Sequence, residues 1–333
     1  MLKKIAPIAI AVFMCAGAAA CASSSSKGDS GAESAAEVVV KGEFSADSAY
    51  EYIARQVEFG PRVPGTAAHD SCAEFLISEM ERIGVDSIIV QRGEVTAFDG
   101  TVLPICNIIS GINVDKARRV LLAAHWDTRP WCDRDHNPEK RKHAVLGAND
   151  GGSGVGVIME IARNLVKNRP DIGVDFIFFD AEDYGDASGF SDVPESWCLG
   201  SQYWAEHLIP YSVNNMPVYG ILLDMVGGQN ARFHYEMFSR EMAPTPTMKV
   251  WSTAARIGHG DRFIQSLGGA VTDDHVFLCR AGIPTTDIIE MINEETASFP
   301  PTWHTDHDNM EHIDKASLRA VGETVLNVLY NEK

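Results

Sequence analysis

The chain has 333 residues, 45% of them hydrophobic, and a net charge of −18 from 28 basic and 46 acidic side chains. Nothing basic clusters to neutralise phosphates, so nucleic acid is excluded as a partner. The hydrophobic share supports a sizeable core, and the acidic balance is compatible with cationic peptides as ligands.

At the N-terminus, Lys3 and Lys4 precede an apolar run from Ile5 to Ala20, too short to span a bilayer comfortably. A positive start, a short apolar stretch and small residues make an export signal, which does not belong to the fold. The small residues end at Ala18-Ala19-Ala20-Cys21, followed by Ser23 to Ser26. That arrangement resembles a bacterial lipoprotein signal, in which the cysteine is lipidated and opens the mature chain. Cleavage near Cys21 without a lipid is the alternative. Residues 22 to 42 are rich in Ser, Ala, Gly and Glu and cannot bury enough apolar surface to offset the entropy of ordering. The predicted organisation is a signal peptide over 1–20, a disordered tether over 21–42 and one folded domain over 43–333. The expected location is the periplasm, with the chain anchored to a membrane through Cys21 and otherwise monomeric.

Asp47 is the predicted cap of a first helix, with Tyr50, Ile53, Ala54 and Val57 on one face. Gly60 to Gly65 breaks it. A second helix stacks Ala73, Leu76, Met80 and Ile83 and stops at Gly84. Ser87–Arg92 and Cys106–Ile112 read as strands. Val120–His125, Val174–Asp180, Val218–Asp224 and Ile283–Ile289 are short, mostly apolar runs that suit a sheet covered on both faces. A helix over Gly152–Lys167 and a last one starting near Asp314 complete the pattern. The predicted fold is a single α/β domain, with a twisted, mostly parallel central sheet between helices. Cys72, Cys106, Cys132, Cys198 and Cys279 have no metal-type spacing, which argues against a zinc finger. One or two disulfides are compatible with an oxidising compartment, in a pairing the sequence does not reveal.

Chemistry gathers where the central strands end. His125-Trp126-Asp127 follows the first, Asn149-Asp150-Gly-Gly-Ser-Gly154 precedes the helix, and Asp180-Ala181-Glu182-Asp183 follows the next strand. Asp224 ends another, and Asp273-Asp274-His275 and Trp303-His304-Thr305 come later. Strand C-terminal ends of an open α/β sheet share one edge, where ligands bind. Each motif alone has a plainer reading: Asp150 as a turn residue, His125 as a core histidine, Glu182 and Asp183 as a solvated loop, Asp273 as a helix cap. Carboxylates and imidazoles at several strand ends converge, and such oxygen and nitrogen ligands without thiolate suit a catalytic zinc.

In this order the motifs resemble those of zinc-dependent aminopeptidases with the di-zinc exopeptidase fold. In detail, His125-Trp-Asp-Thr-Arg129, Phe178-Phe-Asp-Ala-Glu-Asp183, Leu222-Leu-Asp-Met225, Asp273-Asp-His275 and Phe299-Pro-Pro-Thr-Trp-His-Thr305 with Asp308-Asn309 are more similar to glutaminyl cyclases. The resemblance spans residues 45 to 330. It implies zinc ligation by Asp150, Asp183 and His304, proton transfer by Glu182, and a supporting carboxylate network of Asp224 and Asp273. It places Trp303 and Phe299 on the substrate pocket. His125 goes with the substrate side too, at a position that binds a second metal in the aminopeptidases. Asp183 departs from the Glu of the animal cyclases, and the segment from Tyr184 to Trp197 leaves one pocket aromatic to Phe190 or Trp197.

The resemblance implies a zinc-dependent glutaminyl-peptide cyclotransferase with one zinc per chain, acting on peptide and protein N-termini. The hydrolytic alternative is a two-zinc aminopeptidase, in which His125 and Asp224 bind the second ion and Asp150 bridges. A non-catalytic peptide-binding lipoprotein is the third reading, and the intact Glu182 argues against it, since a binder has no use for a base beside a metal.

Overall fold

The runs that are apolar on both faces build the centre of the sheet. A computed structural model describes residues 43–188, 195–212 and 215–333. The signal peptide, Cys21, the tether and Phe190 lie outside the described residues.

Helices α1 (Ala46–Val57) and α2 (Ala67–Ile83) come first. Ser45, not Asp47, caps α1, its hydroxyl accepting the Ser48 N–H at 3.1 Å. Ser45 holds the extended backbone that a capping residue needs. Asp47 lies inside the first turn and pairs with Lys315 at 2.8 Å. Thr66 caps α2, and Gly84 ends it in the left-handed conformation at φ 91°. Strands β1 (Ser87–Thr96), β2 (Val102–Ile112) and β3 (Arg119–His125) lead to α3 (Gly152–Lys167) and β4 (Gly173–Phe179). Next come α4 (Leu199–His207), β5 (Tyr219–Asp224), β6 (Phe233–Tyr235), α5 (Met237–Met242) and α6 (Pro244–Ile257). Strand β7 (Phe263–Leu267), α7 (Asp274–Arg280), β8 (Thr285–Ile289) and α8 (Lys315–Tyr330) complete the chain.

The main sheet runs β1-β2-β4-β3-β5-β8. Strands β4, β3, β5 and β8 are parallel, and β1 and β2 add an antiparallel edge. In β3, Val120, Leu122 and Ala124 face a core shared with α1, α3 and α8. Leu121 and Ala123 face the opposite layer, with Trp204 of α4 and Leu278 of α7. Both faces are therefore covered, which is why these strands lack polar alternation. The five cysteines of this region, Cys72, Cys106, Cys132, Cys198 and Cys279, are all free thiols.

The first turn of α3 comes very close to the sheet. A methyl group on Gly154 would collide with the Leu223 carbonyl and stand 2.9 Å from the Ala124 Cβ. Glycine thereby lets α3 lie against β3 and β5, directly behind the edge where β3, β4 and β5 end.

Candidate active site

Asp150 precedes α3, Asp183 follows β4, and His304 lies in the loop between β8 and α8. The three meet in space. His304 Nε2 stands 3.1 Å from Asp183 Oδ1 and 3.7 Å from Asp150 Oδ2. One donor atom of each residue falls within a 4.8 Å cluster, and all three residues are buried. Asp150 Oδ2 and both Asp183 oxygens have no hydrogen-bond partner among the described residues. Buried carboxylate oxygens left in this state call for a cation. Two carboxylates and one imidazole with an open side match the three-ligand set of catalytic zinc, so these residues fit the metal. Asp133 approaches the other imidazole nitrogen, with Oδ1 3.3 Å from His304 Nδ1. Arg129 holds Asp133 through Nε at 2.8 Å and Nη2 at 3.0 Å, and donates to the Asp183 carbonyl at 2.9 Å.

A second cluster, His125, Asp150 and Asp224, also lies within 4.8 Å. Within it, His125 Nε2 stands 3.1 Å from Asp150 Oδ1 and 3.2 Å from Asp224 Oδ1. Burial works against charge on His125, but bonds to Asp127, Asp150 and Asp224 win and raise its pKa well above the ordinary histidine value. His125 is 1% exposed and does not line the cavity. It sits behind the cavity wall, against Asp150 and Asp224.

Glu182 lies at the wall of a cavity of about 390 Å³ that Asp150, Asp183, Asp224, Asp273 and His304 also line. Burial pushes its carboxyl well above the usual range, and like charge on Asp183, Asp273 and Asp274 adds to the push. Asp273 rises to about 7 through burial and the neighbouring Asp224. It also caps α7, accepting the Asp274 N–H at 2.5 Å. Behind it, Asp274 and Asp287 are raised by burial and by Asp273. The Cys198 thiol donates to Glu182 Oε1 at 3.3 Å, and the Cys198 N–H donates to the Glu182 carbonyl at 2.9 Å.

The walls are aromatic. Trp303 stacks on His304 at 3.8 Å between centroids, with Phe299 4.6 Å from Trp303. Trp197 faces His304 at 6.0 Å and an interplanar angle of 16°, and its other neighbour is the Arg129 guanidinium, 4.8 Å from the ring centroid. Of the two aromatics proposed for the 184–197 segment, Trp197 therefore stands at the cavity.

Sequence reasoning missed the residues that hold the loops. Asp127 accepts the N–H groups of Glu182 at 3.0 Å and Asp183 at 3.1 Å. Asp308 does the same for Asn149 at 2.7 Å and Asp150 at 3.1 Å. Both lie inside motifs visible in the sequence, but nothing there reveals that their partners are backbone amides. Strain collects here too: Ala181, Cys198, Met225 and His304 adopt φ values of 51°, 60°, 47° and 55°. Non-glycine residues hold this conformation only where the surroundings enforce it.

An α/β sheet with a carboxylate–imidazole cluster at its strand ends defines a zinc exopeptidase-type protein, and the chain belongs to peptidase family M28, whose model matches residues 107–329. Within that group it is 49% identical to a glutaminyl cyclase of Bacteroides thetaiotaomicron bound to N-acetylhistamine, with 87% of this chain and 99% of that one covered and a TM-score of 0.83. It is also 48% identical to a leucine aminopeptidase precursor of the same organism, over 89% of this chain and 100% of that one, again at a TM-score of 0.83. A more distant relative, the glutaminyl-peptide cyclotransferase of Bos taurus, is 24% identical over 77% of this chain and 74% of its own length.

Proposed function

We propose that this chain is a zinc-dependent glutaminyl-peptide cyclotransferase with one zinc per chain, converting N-terminal glutamine to pyroglutamate with release of ammonia. The observation that carries this reading is the buried cluster of Asp150, Asp183 and His304, whose ligand atoms lie within 4.8 Å of one another and in which Asp150 Oδ2 and both Asp183 oxygens have no hydrogen-bond partner among the described residues. Asp150, Asp183 and His304 would hold the metal, which supplies Lewis acidity toward a carbonyl oxygen when bound.

The chain's own residues do the rest. The cavity holds the glutamine so that its α-amine faces its own γ-carbonyl, an intramolecular attack favoured by effective concentration. Glu182 accepts a proton from the amine and returns one to the departing ammonia, closing a five-membered lactam. Burial and like charge on Asp183, Asp273 and Asp274 favour the protonated form of Glu182, which suits a group that must both take and give a proton. Trp197, Phe299 and Trp303 restrict water, which would otherwise convert cyclisation into deamidation.

The aminopeptidase reading is favoured by one observation, the proximity of His125, Asp150 and Asp224 in a second metal-sized cluster. An N-terminal glutamine peptide separates the two. Under the cyclase reading the purified enzyme releases ammonia, leaves the chain otherwise intact and contains about one zinc. Release of a free amino acid, with two zincs, would overturn it. Glu182→Gln should lower turnover by at least ~100-fold while zinc content stays at the wild-type level. Unchanged turnover would remove Glu182 from the mechanism.

The N-terminal motif supports export and anchoring in the periplasm through a lipid on Cys21, with residues 22–42 as the tether and the domain from 43 as the catalytic unit. In a host that processes lipoproteins, Cys21→Ser should release the enzyme from the membrane fraction and abolish labelling by radioactive palmitate. Membrane retention of the variant would refute the anchor.

A further inference from the structure

The cavity at the strand ends has a buried end and an open one. Asp150, Asp183, Asp224, Asp273 and His304 line it from buried positions, whereas Arg134, which also lines it, is exposed. Among the described residues Arg134 is the one lysine or arginine on this wall. Its backbone N–H donates to the His304 carbonyl at 3.1 Å, which fixes it to the loop that carries the histidine. Its guanidinium carbon lies 5.2 Å from the centroid of Trp303, the ring stacked on His304.

Two wall tryptophans thus each carry an arginine, and the two arginines differ in what else holds them. Arg129, 4.8 Å from Trp197, is locked to Asp133 and to the carbonyls of Asp183 and Gly185. Arg134 rests on its ring with no carboxylate paired to it among the described residues. A guanidinium lying over a ring keeps its N–H edge available, and that edge matches a carboxylate with two parallel hydrogen bonds.

The acids of the cavity have other partners. Asp150 and Asp183 belong to the proposed metal cluster, and Asp224 faces His125 at 3.2 Å. Glu182 accepts from the Cys198 thiol at 3.3 Å, and Asp273 accepts the Asp274 N–H at the start of α7. Asp186, partly exposed on the same wall, is engaged with its own loop, its Oδ1 accepting the Ser188 N–H at 2.8 Å and the Ser188 hydroxyl at 2.6 Å. With the glutamine consumed at the buried end, the rest of the peptide leaves past Trp303 toward Arg134. An extended residue advances the chain by about 3.5 Å. Arg134 stands two ring contacts from the ligand imidazole, so the residue after the glutamine is the one that meets it.

We propose that Arg134 is a specificity residue that binds a carboxylate carried by the second residue of the substrate. The inference deepens the cyclase reading and rests on it for the identity of the first residue. Two sources present that carboxylate at the same place, the side chain of an acidic second residue and the free C-terminus of a glutamine dipeptide.

The test is a KM series, read by ammonia release, on Gln-Glu-amide, free Gln-Ala, Gln-Ala-amide and Gln-Lys-amide. The wild type should show a KM about fivefold lower for a carboxylate-bearing peptide than for Gln-Ala-amide, the size of an exposed ion pair, and its highest KM for Gln-Lys-amide. In Arg134→Met the ratio should fall to about one, and Arg134→Glu should favour Gln-Lys-amide over Gln-Glu-amide. Each source is read from its own peptide: preference for Gln-Glu-amide assigns the side chain, and preference for free Gln-Ala assigns the terminus. A wild-type ratio of one for both, or a ratio that neither substitution changes, overturns the proposal. Calorimetric binding of the same peptides to Glu182→Gln, with and without Arg134→Met, reads the preference without turnover. Loss of the cyclase assignment and loss of this contact therefore give different results.

Discussion

Cys198 touches the proposed proton-transfer residue through both its backbone and its thiol, from a strained left-handed position at the start of α4. A thiol is a weak donor, but this one aims at Glu182 Oε1 and limits where the carboxylate points. Cys198→Ala should lower kcat roughly fivefold with KM little changed, on the order of 1 kcal/mol for one lost hydrogen bond. Cys198→Ser should restore most of the loss, and equal activity in all three forms would leave Cys198 a packing residue. At this scale the ligand-type residues were legible, because Asp150, Glu182, Asp183 and His304 stand at strand ends or in short motifs that packing alone does not require. Asp127, Asp308 and Asp133 were not. They act through backbone amides or through His304, and a single aspartate in a sequence carries no sign of its partner. Trp197 was only half legible, because spacing along the 184–197 segment does not say which of its aromatics reaches the cavity.

Among the elements, the central strands and the long helices follow from apolar runs, periodicity and glycine stops. Their ends shift by a residue or two, as with β8, which begins at Thr285 rather than Ile283. The small sheet of β6 and β7 and the helices α4 to α6 escaped prediction. Strand β6 is three residues long, and α5 has six, too few for either period to register. Helix α6 opens with Pro244 and Pro246, which read as turn residues until the first turn is seen to accept them. The tight seating of α3 yields a prediction at this scale. Gly154→Ala must push the helix off Leu223 and Ala124, at a cost of about 1–3 kcal/mol, visible as a lower urea midpoint with little change in slope. An unchanged midpoint would show that the helix can shift freely, and that its distance from the sheet is not set there.

Over the whole molecule, the proposed metal ties together segments near residues 150, 183 and 304, which adjoin three different elements. Removing it leaves Asp150 and Asp183 buried without compensation, so a chelator should lower the melting temperature by several degrees, and added zinc should restore it. A melting curve indifferent to chelator would mean that the folded chain does not hold the ion in this cluster. The order of motifs along the chain made the domain-level fold legible, whereas the grouping of the site depends on contacts that span from 55 residues of sequence, at Asp127, to 159, at Asp308. The same distances give meaning to the paired grips of Asp127 and Asp308, which clasp peptide amides and leave side chains free. A loop pinned by its main chain keeps its course whichever residue it displays, so the side chain at 183 can change without the frame being redrawn. Descent can then rewrite the chemistry while the scaffold stays still, and chains nearly half identical to this one bear the names of a cyclase and of an aminopeptidase.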